Sequence, residues 1–532
     1  NSYKRINYRI NLDFNITKTT KLSVNLTGTY GIQKGPNFSD NYFYLGIYYI
    51  APDNYYPRHE DGTYGFSSVD EWTMTNPLYT YSSSGLITRN TLSLNSDLIL
   101  KQNLDFITKG LSLEGKFSYD NNFRGEQVIS DTKSVIFKRY INEGEIVEYD
   151  YPSTDNDYKY VVTPWTIGNI LGNNLGNLNS NKMRRVNYQL SLNYVRRFAE
   201  EHNLSALFLF KREEYATGSM FPIYYEDWVG RATYDYKNRY LFEVNGAYNG
   251  SEKFGPGYRF ELFPSVALGW NLSNEEFMQH VTWIDKLKLR GSYGVVGDDG
   301  FSGRWQYISQ WASLNAAAAI VAPGYYSNSA NINSKSPYTF YRESVLGNPD
   351  LHWEVSVKKD LGFEFSALNN AVTIDFDYFI ENRKDIVIYG SDRTIPVWFG
   401  NEPPDANLGR VDVKGFELIL GFRHSFNKNT KTWTNVSLTH AKDRVIYAED
   451  PELAPNYQKK AGYPINQKNA AIPGEIMQSW DDVYMSTPLM IGDISKRTGY
   501  YDLIDFDGNG VYDSNYDNAP YGYPTRPQGS WS

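Results

Sequence analysis

YDYKNRYLFEVNGAYNGSEKFGPGYRFELFPSVALGWNLSNEEFMQHVTWIDKLKLRGSYGVV, residues 234–296, decides the fold. In its middle run Tyr258, Phe260, Leu262, Pro264, Val266, Leu268, Trp270 and Leu272 are apolar, with Arg259, Glu261, Ser265, Gly269 and Asn271 between them. Successive strand side chains point to opposite faces, so the run predicts a β-strand with one greasy and one polar face. The next run repeats the pattern, with Leu287, Leu289, Tyr293 and Val295 set against Lys286, Lys288, Arg290 and Ser292. Both runs exceed the roughly 5–6 residues usual in globular sheets. They suit the roughly 9–11 residues of a tilted transmembrane strand.

The same alternation recurs outward in both directions. Ile6, Tyr8, Ile10, Leu12 and Phe14 alternate with Asn7, Arg9, Asn11 and Asp13, and the pattern continues through Val186–Tyr194, Val372–Ile380 and Phe416–Phe422. Template matching gives about fifteen strands. The connections are asymmetric. Tight ones are expected at 17–20, 199–203, 235–238, 367–370 and 427–429, and long ones at 32–87, 125–181, 297–350 and 448–523. A chain passing up and down through a bilayer, with short periplasmic turns and long external loops, has this form. Long structureless loops are uncommon in compact soluble domains. There is no fixed repeat period for a solenoid and no even strand spacing for a propeller. The expected fold is an all-β, antiparallel, up-and-down transmembrane barrel.

Composition agrees. The 532 residues include 46 Tyr, 28 Phe and 12 Trp, an abundance suited to aromatic girdles and a lined cavity. The longest apolar run, Ala316–Ala322, is far short of the ~20 residues a membrane helix needs. With no Cys there is no disulfide, thiolate metal site or thiol nucleophile. The net charge of −9 argues against nucleic acid, whose phosphates need clustered Lys and Arg.

The wording of several segments is also specific. RYLFEVNGAYNGSEKFGPGYRFELFPSVALGWNLSNEEFM, LKLRGSYGVVGDDG, GNPDLHWEVSVKKDLGFEF (347–365), LGRVDVKGFELIL (408–420) and the late IGDISKRTGYYDLIDFDGNGVYDSNYDNAPYGYP resemble the barrel text of SusC-like (SusC/RagA) TonB-dependent outer-membrane transporters. The resemblance implies a 22-stranded barrel with an N-terminal plug and a TonB-contacting segment. It also implies a SusD-like surface lipoprotein as lid, energy from TonB–ExbB–ExbD, and import of oligosaccharides or peptides. The setting it implies is the lipid of a Gram-negative, Bacteroidota-like outer membrane. Against that pattern, residues 1–532 read as a partial barrel, without the plug, the first strands or the last ones.

One local motif carries metal chemistry. Asp505-Phe-Asp507-Gly-Asn509-Gly510-Val511-Tyr-Asp513 places oxygen donors at positions 1, 3, 5 and 9 with Gly at 6, as at the front of an EF-hand-type Ca²⁺ loop. Position 12 is Tyr516, so Asp517, one residue later, is expected to close the cage, with the Val511 carbonyl as a further ligand. The bland alternative is an Asp/Asn/Gly-rich turn without metal. Trp72, Trp165, Trp305, Trp311, Trp398 and Trp480 fall in expected loops and are candidate platforms for sugar rings or peptide side chains, or else packing between loops. Trp270 is expected in the lipid-facing girdle. No GxSxG or HExxH occurs, and the six His show no ligand spacing, so no catalytic residue and no organic cofactor is assigned. Active import is the leading reading. An outer-membrane barrel enzyme, or an adhesin acting through its long loops, is the alternative.

Overall fold

The computed structural model describes residues 2–36, 48, 57–66, 76, 78, 81, 86–129, 135–140, 146–151, 182–218, 220–301, 303–314, 340–427, 429–491, 496–522, 524 and 528–532. One fifteen-stranded antiparallel sheet dominates, its strands hydrogen-bonded in chain order. They are β1 (Ser2–Asn15), β2 (Thr20–Pro36), β3 (Leu86–Asn103), β4 (Leu111–Ile129), β5 (Lys182–Phe198), β6 (His202–Thr217), β7 (Ile223–Tyr236) and β8 (Tyr240–Ser251). The series continues with β9 (Phe260–Asn271), β10 (Ile284–Asp298), β11 (Glu354–Ala367), β12 (Val372–Ile388), β13 (Ala406–Ser425), β14 (Lys431–Tyr447) and the short β15 (Gly529–Trp531). The strand count and meander expected from periodicity are therefore met. The chain groups into two compact units, Asn1–Leu104 with Ser112–Leu190 and Lys211–Tyr224, and Asp105–Leu111 with Ser191–Phe210 and Tyr225–Ser532. Strands β5, β6 and β7 contribute to both.

The tight turns lie where the sequence puts them. Ala199 and Glu200 join β5 to β6 with φ of 50° and 56°, and Lys237 and Asn238 join β7 to β8 with φ of 54° and 52°. Paired left-handed residues match the right-handed twist of the flanking strands, so such turns let a hairpin close in two or three residues. Asp235 helps by accepting the Asn238 N–H at 2.7 Å.

Register converts alternation into two chemically distinct faces. One row across β8–β14 reads Tyr240, Trp270, Leu289, Phe363, Phe376, Leu418, Leu438. The row beside it, on the other face, reads Leu241, Gly269, Arg290, Gly362, Asp377, Glu417, Thr439. The apolar face stays uncovered, with Leu262, Leu268 and Leu361 56%, 61% and 68% exposed. Among the described residues only twelve hydrophobic side chains are buried. A water-soluble sheet of this size would bury that face, whereas a sheet solvated by lipid leaves it open. No helix among the described residues is long and apolar enough to cross a membrane.

Trp270 sits in the apolar row, its ring 6.5 Å from Tyr240 and nearly parallel to it. Its indole N–H donates to Glu275 Oε1 at 2.9 Å, so one end is greasy and the other polar, as a girdle residue requires. That bond is the leading reason the Glu275 carboxyl lies below its ordinary range. The strand containing Trp270 is shorter than the alternation suggested. Gly257, at φ 98°, turns the chain before β9, leaving Tyr258 outside it, and Leu272 opens a 3-10 turn.

A charge on the apolar face should be costly and one on the polar face cheap. Leu361→Lys is expected to lower the stability of the full-length protein in lipid vesicles by about 2–4 kcal/mol in urea titrations. Ser292→Lys, beside Asp360 on the other face, should cost under about 1 kcal/mol. Equal costs would remove the assignment of faces.

Candidate functional site

On the polar face the register organises the alternating charges into an ion-pair ladder. Lys286 and Lys288 on β10 both reach Glu364 on β11, Lys288 at 3.2 Å. Arg290 crosses β11 to meet Asp377 (2.6 Å) and Asp375 (3.1 Å) on β12. It can do so because Gly362 stands in the row between them, and a Cβ there would lie 2.0 Å from Asp377 Oδ1. These groups remain a fifth to a half exposed, so each pair contributes about 1 kcal/mol or less. The ladder's effect is to fix three strands in register. The signal that could have revealed it was the strand pairing, which periodicity alone does not give. Towards the short-turn end the same face carries a hollow of about 530 Å³ floored by Ala267 and Gly269 and edged by Arg197, Glu243 and Lys288.

At the long-loop end the described connections between β8 and β14 are braced by side chains. Phe254, Phe263, Phe301, Leu351, Trp353 and Val387 form a buried cluster that ties the 252–259, 299–309 and 346–353 segments to β9 and β12. The Trp353 indole donates to the Arg259 carbonyl at 3.1 Å. Asn407 holds two backbones at once, donating to the His352 and Asp385 carbonyls at 2.7 and 2.8 Å and accepting the His352 N–H. Arg393 clamps Glu449 through two nitrogens, at 3.0 and 3.2 Å. Bidentate pairing of this kind orders a loop more firmly than a single contact. Beneath the cluster, on the polar face, lies a pocket of about 210 Å³ edged by Asp298, Glu354, Lys358, Glu381, Arg383 and Lys384.

The acidic loop brings three of its six expected oxygen donors together. Asp505 accepts backbone N–H groups from Gly508 (2.7 Å), Asn509 (3.1 Å) and Gly510 (2.6 Å). The Gly510 N–H is the leading reason its carboxyl lies below the usual range. Gly508 and Gly510 take φ of 76° and 93°, which a side chain would strain. Asp517 is fully buried, accepting N–H groups from Phe506, Asp507 and Asp513. One carboxylate oxygen from each of Asp505, Asp507 and Asp517 lies within 4.8 Å of the others. Asn509 and Asp513, also expected as donors, are turned otherwise: Asn509 donates to Asp507 and accepts the Val511 N–H, and Asp513 accepts the Asn515 N–H. Tyr457, T-shaped against Phe506 at 4.6 Å, has its phenol pushed upward by burial and by these carboxylates.

Four of the six candidate tryptophans lie on connections, as expected. Trp305 is in the 299–309 segment with the Arg304 guanidinium 4.5 Å above its ring, and Trp311 is on the short strand Gln310–Leu314. Trp398 is on the turn Val397–Phe399 and is 89% exposed. Trp480 opens the six-residue helix α1 (Trp480–Met485), which is held by a Ser479–Asp482 capping box. No ring contact joins any two of these four among the described residues. Trp72 and Trp165 lie outside the described residues.

A meander of long strands, with one face left to lipid and the other lined with paired charges, defines a membrane-spanning β-barrel protein. The chain belongs to the TonB dependent receptor-like β-barrel family, whose model matches residues 29–532. It is similar to TonB-dependent receptor P39 of Formosa agariphila, 24% identical over 466 residues, covering 85% of this chain and 40% of that protein. It is also similar to TonB-dependent receptor SusC of Bacteroides thetaiotaomicron, 27% identical over 260 residues, covering 48% and 24%. The fold matches a chain of the RagAB peptide transporter with a TM-score of 0.66 at 18% identity, over 99% of this chain and 55% of that one. The chain thus spans less than half the length of these two relatives.

If the ladder sets register, its members are coupled. Arg290→Gln and Asp377→Asn in a double-mutant cycle should give an interaction energy of about 1 kcal/mol in denaturant unfolding. Additivity within about 0.2 kcal/mol would make the pair a spectator.

Proposed function

We propose that the protein takes part in TonB-dependent import of oligosaccharides or peptides across a Gram-negative outer membrane. The observation that carries this reading is the pairing of a lipid-exposed face with a charged inner face, topped by loops that a buried aromatic cluster holds in place. Such an arrangement suits a selective, gated passage, since a loose loop cannot preorganise a binding surface. Kinship with SusC and likeness to the RagAB peptide transporter support it. On this reading a plug fills the barrel, TonB–ExbB–ExbD supplies the energy, and a SusD-like lipoprotein covers the loops. Trp305, Trp311, Trp398 and Trp480 then offer ring faces to the incoming substrate. The full-length protein, isolated from native membranes, should bring down a lipoprotein of comparable size and a retained glycan or peptide visible by mass spectrometry. Isolation without either would overturn the proposal.

Within the same reading the acidic loop binds Ca²⁺. Asp505, Asp507 and Asp517 supply hard anionic oxygens, and a divalent cation relieves the repulsion among three carboxylates held within 4.8 Å. The Val511 carbonyl and the Asn509 and Asp513 side chains are its further donors after local rotation. Bound there, the ion stiffens the 505–517 loop. Its influence reaches the segment that follows α1 through the Leu489–Tyr512 bridge and the Met490 N–H bond to the Tyr512 carbonyl. Tb³⁺ added to the full-length protein should show luminescence sensitised by the neighbouring tyrosines, displaced by Ca²⁺. Asp507→Asn, exposed and safe for folding, should weaken it at least tenfold. Unchanged luminescence in that variant would eliminate the site.

A further inference from the structure

The apolar face is not uniformly greasy. At the long-loop end of β3–β6 it carries a groove of about 570 Å³. Leu92, Phe123 and Met220 wall it, and two cations, Lys182 and Arg184, stand in it. Their placement follows from alternation: even-numbered β5 residues such as Tyr188 and Leu190 are the exposed apolar ones. Arg185, one residue on, belongs to the other face, where it meets Glu213 at 3.1 Å and the Tyr215 ring at 5.3 Å.

Arg184 pairs with Glu214 at 2.5 Å. Lys182 has its ammonium 6.0 Å from the Phe123 ring centre and no carboxylate partner among the described residues. Among the described residues, two cations against one carboxylate leave a net positive charge in an apolar groove. A cation on the lipid-facing side is costly at mid-membrane and nearly free at the interface. Lys182 and Arg184 open β5, so they stand at the interface. An isolated snorkelling lysine would extend its head to water, whereas this one is folded over an aromatic ring beside a guanidinium. Ammonium, guanidinium and greasy walls together match one ligand chemistry, an anionic phosphate attached to hydrocarbon.

We propose that this groove binds a phosphate-bearing lipid of the leaflet on the loop side. The phosphate lies between Lys182 and Arg184, and an acyl chain runs along Leu92, Phe123 and Met220. The site is independent of what the protein imports.

Native mass spectrometry of the detergent-solubilised full-length protein tests it, with phosphatidylglycerol as probe, diacylglycerol as the same lipid without phosphate, and glycerol 3-phosphate as the headgroup alone. The wild type should retain phosphatidylglycerol about tenfold better than diacylglycerol. Lys182→Gln should lower phosphatidylglycerol retention to the diacylglycerol level, and Lys182→Arg should restore it, with heat-dependent gel mobility confirming that each variant is folded. Equal retention of both lipids, or full retention by Lys182→Gln, would overturn the proposal. Displacement by glycerol 3-phosphate at concentrations equal to the lipid would also overturn it, making the site one for free phosphate.

Discussion

A backbone N–H or C=O surrounded by hydrocarbon has no water to turn to, so each must find a partner within the protein. Strand pairing meets that requirement, and with it comes a period of two in the side chains. Much else in this molecule follows from that period. Because Leu289 faces lipid, Lys288 and Arg290 must face inward, and their charge then needs carboxylates on β11 and β12. Sliding one strand by a single residue would put Arg290 in lipid and Leu289 among the acids. The ladder and the greasy rows therefore enforce the same register from opposite sides of the sheet.

What was legible from sequence divides along that line. Strand number, tight turns and the two faces could be read because each depends on local alternation and turn chemistry. The turn at Asp505 was likewise legible, because the bonds to its carboxylate span only three to five residues, whereas the rotation of Asn509 and Asp513 away from it was not. What escaped was everything set by partners distant in sequence. Glu364 lies 76 residues from Lys288, and Asp377 lies 87 from Arg290. The Phe254–Trp353 cluster joins three connections that give no sign of one another in the sequence. The run read from Tyr258 to Leu272 was overread at both ends, because Tyr258 fits the alternation but lies in the turn that Gly257 makes, and Leu272 fits it but opens a 3-10 turn.

The loop end shows how a surface of long connections can be both varied and firm. Asn407 satisfies carbonyls from two separate segments, so neither segment can shift without exposing a buried acceptor. Arg393 makes a similar tie between the 389–405 connection and Glu449. The candidate tryptophans Trp305 and Trp398 thus stand on supports that are themselves hydrogen-bonded, which would reduce the ordering that a ligand must impose.

The buried aromatic cluster also bears on descent. Phe254, Phe263, Phe301, Leu351, Trp353 and Val387 seal the sheet end, so residues distal to that seal can be exchanged without disturbing the strands below. A lineage built this way can rewrite its outer loops while inheriting its membrane strands unchanged. Divergence should then concentrate above the seal, with relatives keeping the same aromatic knot under unrelated tips.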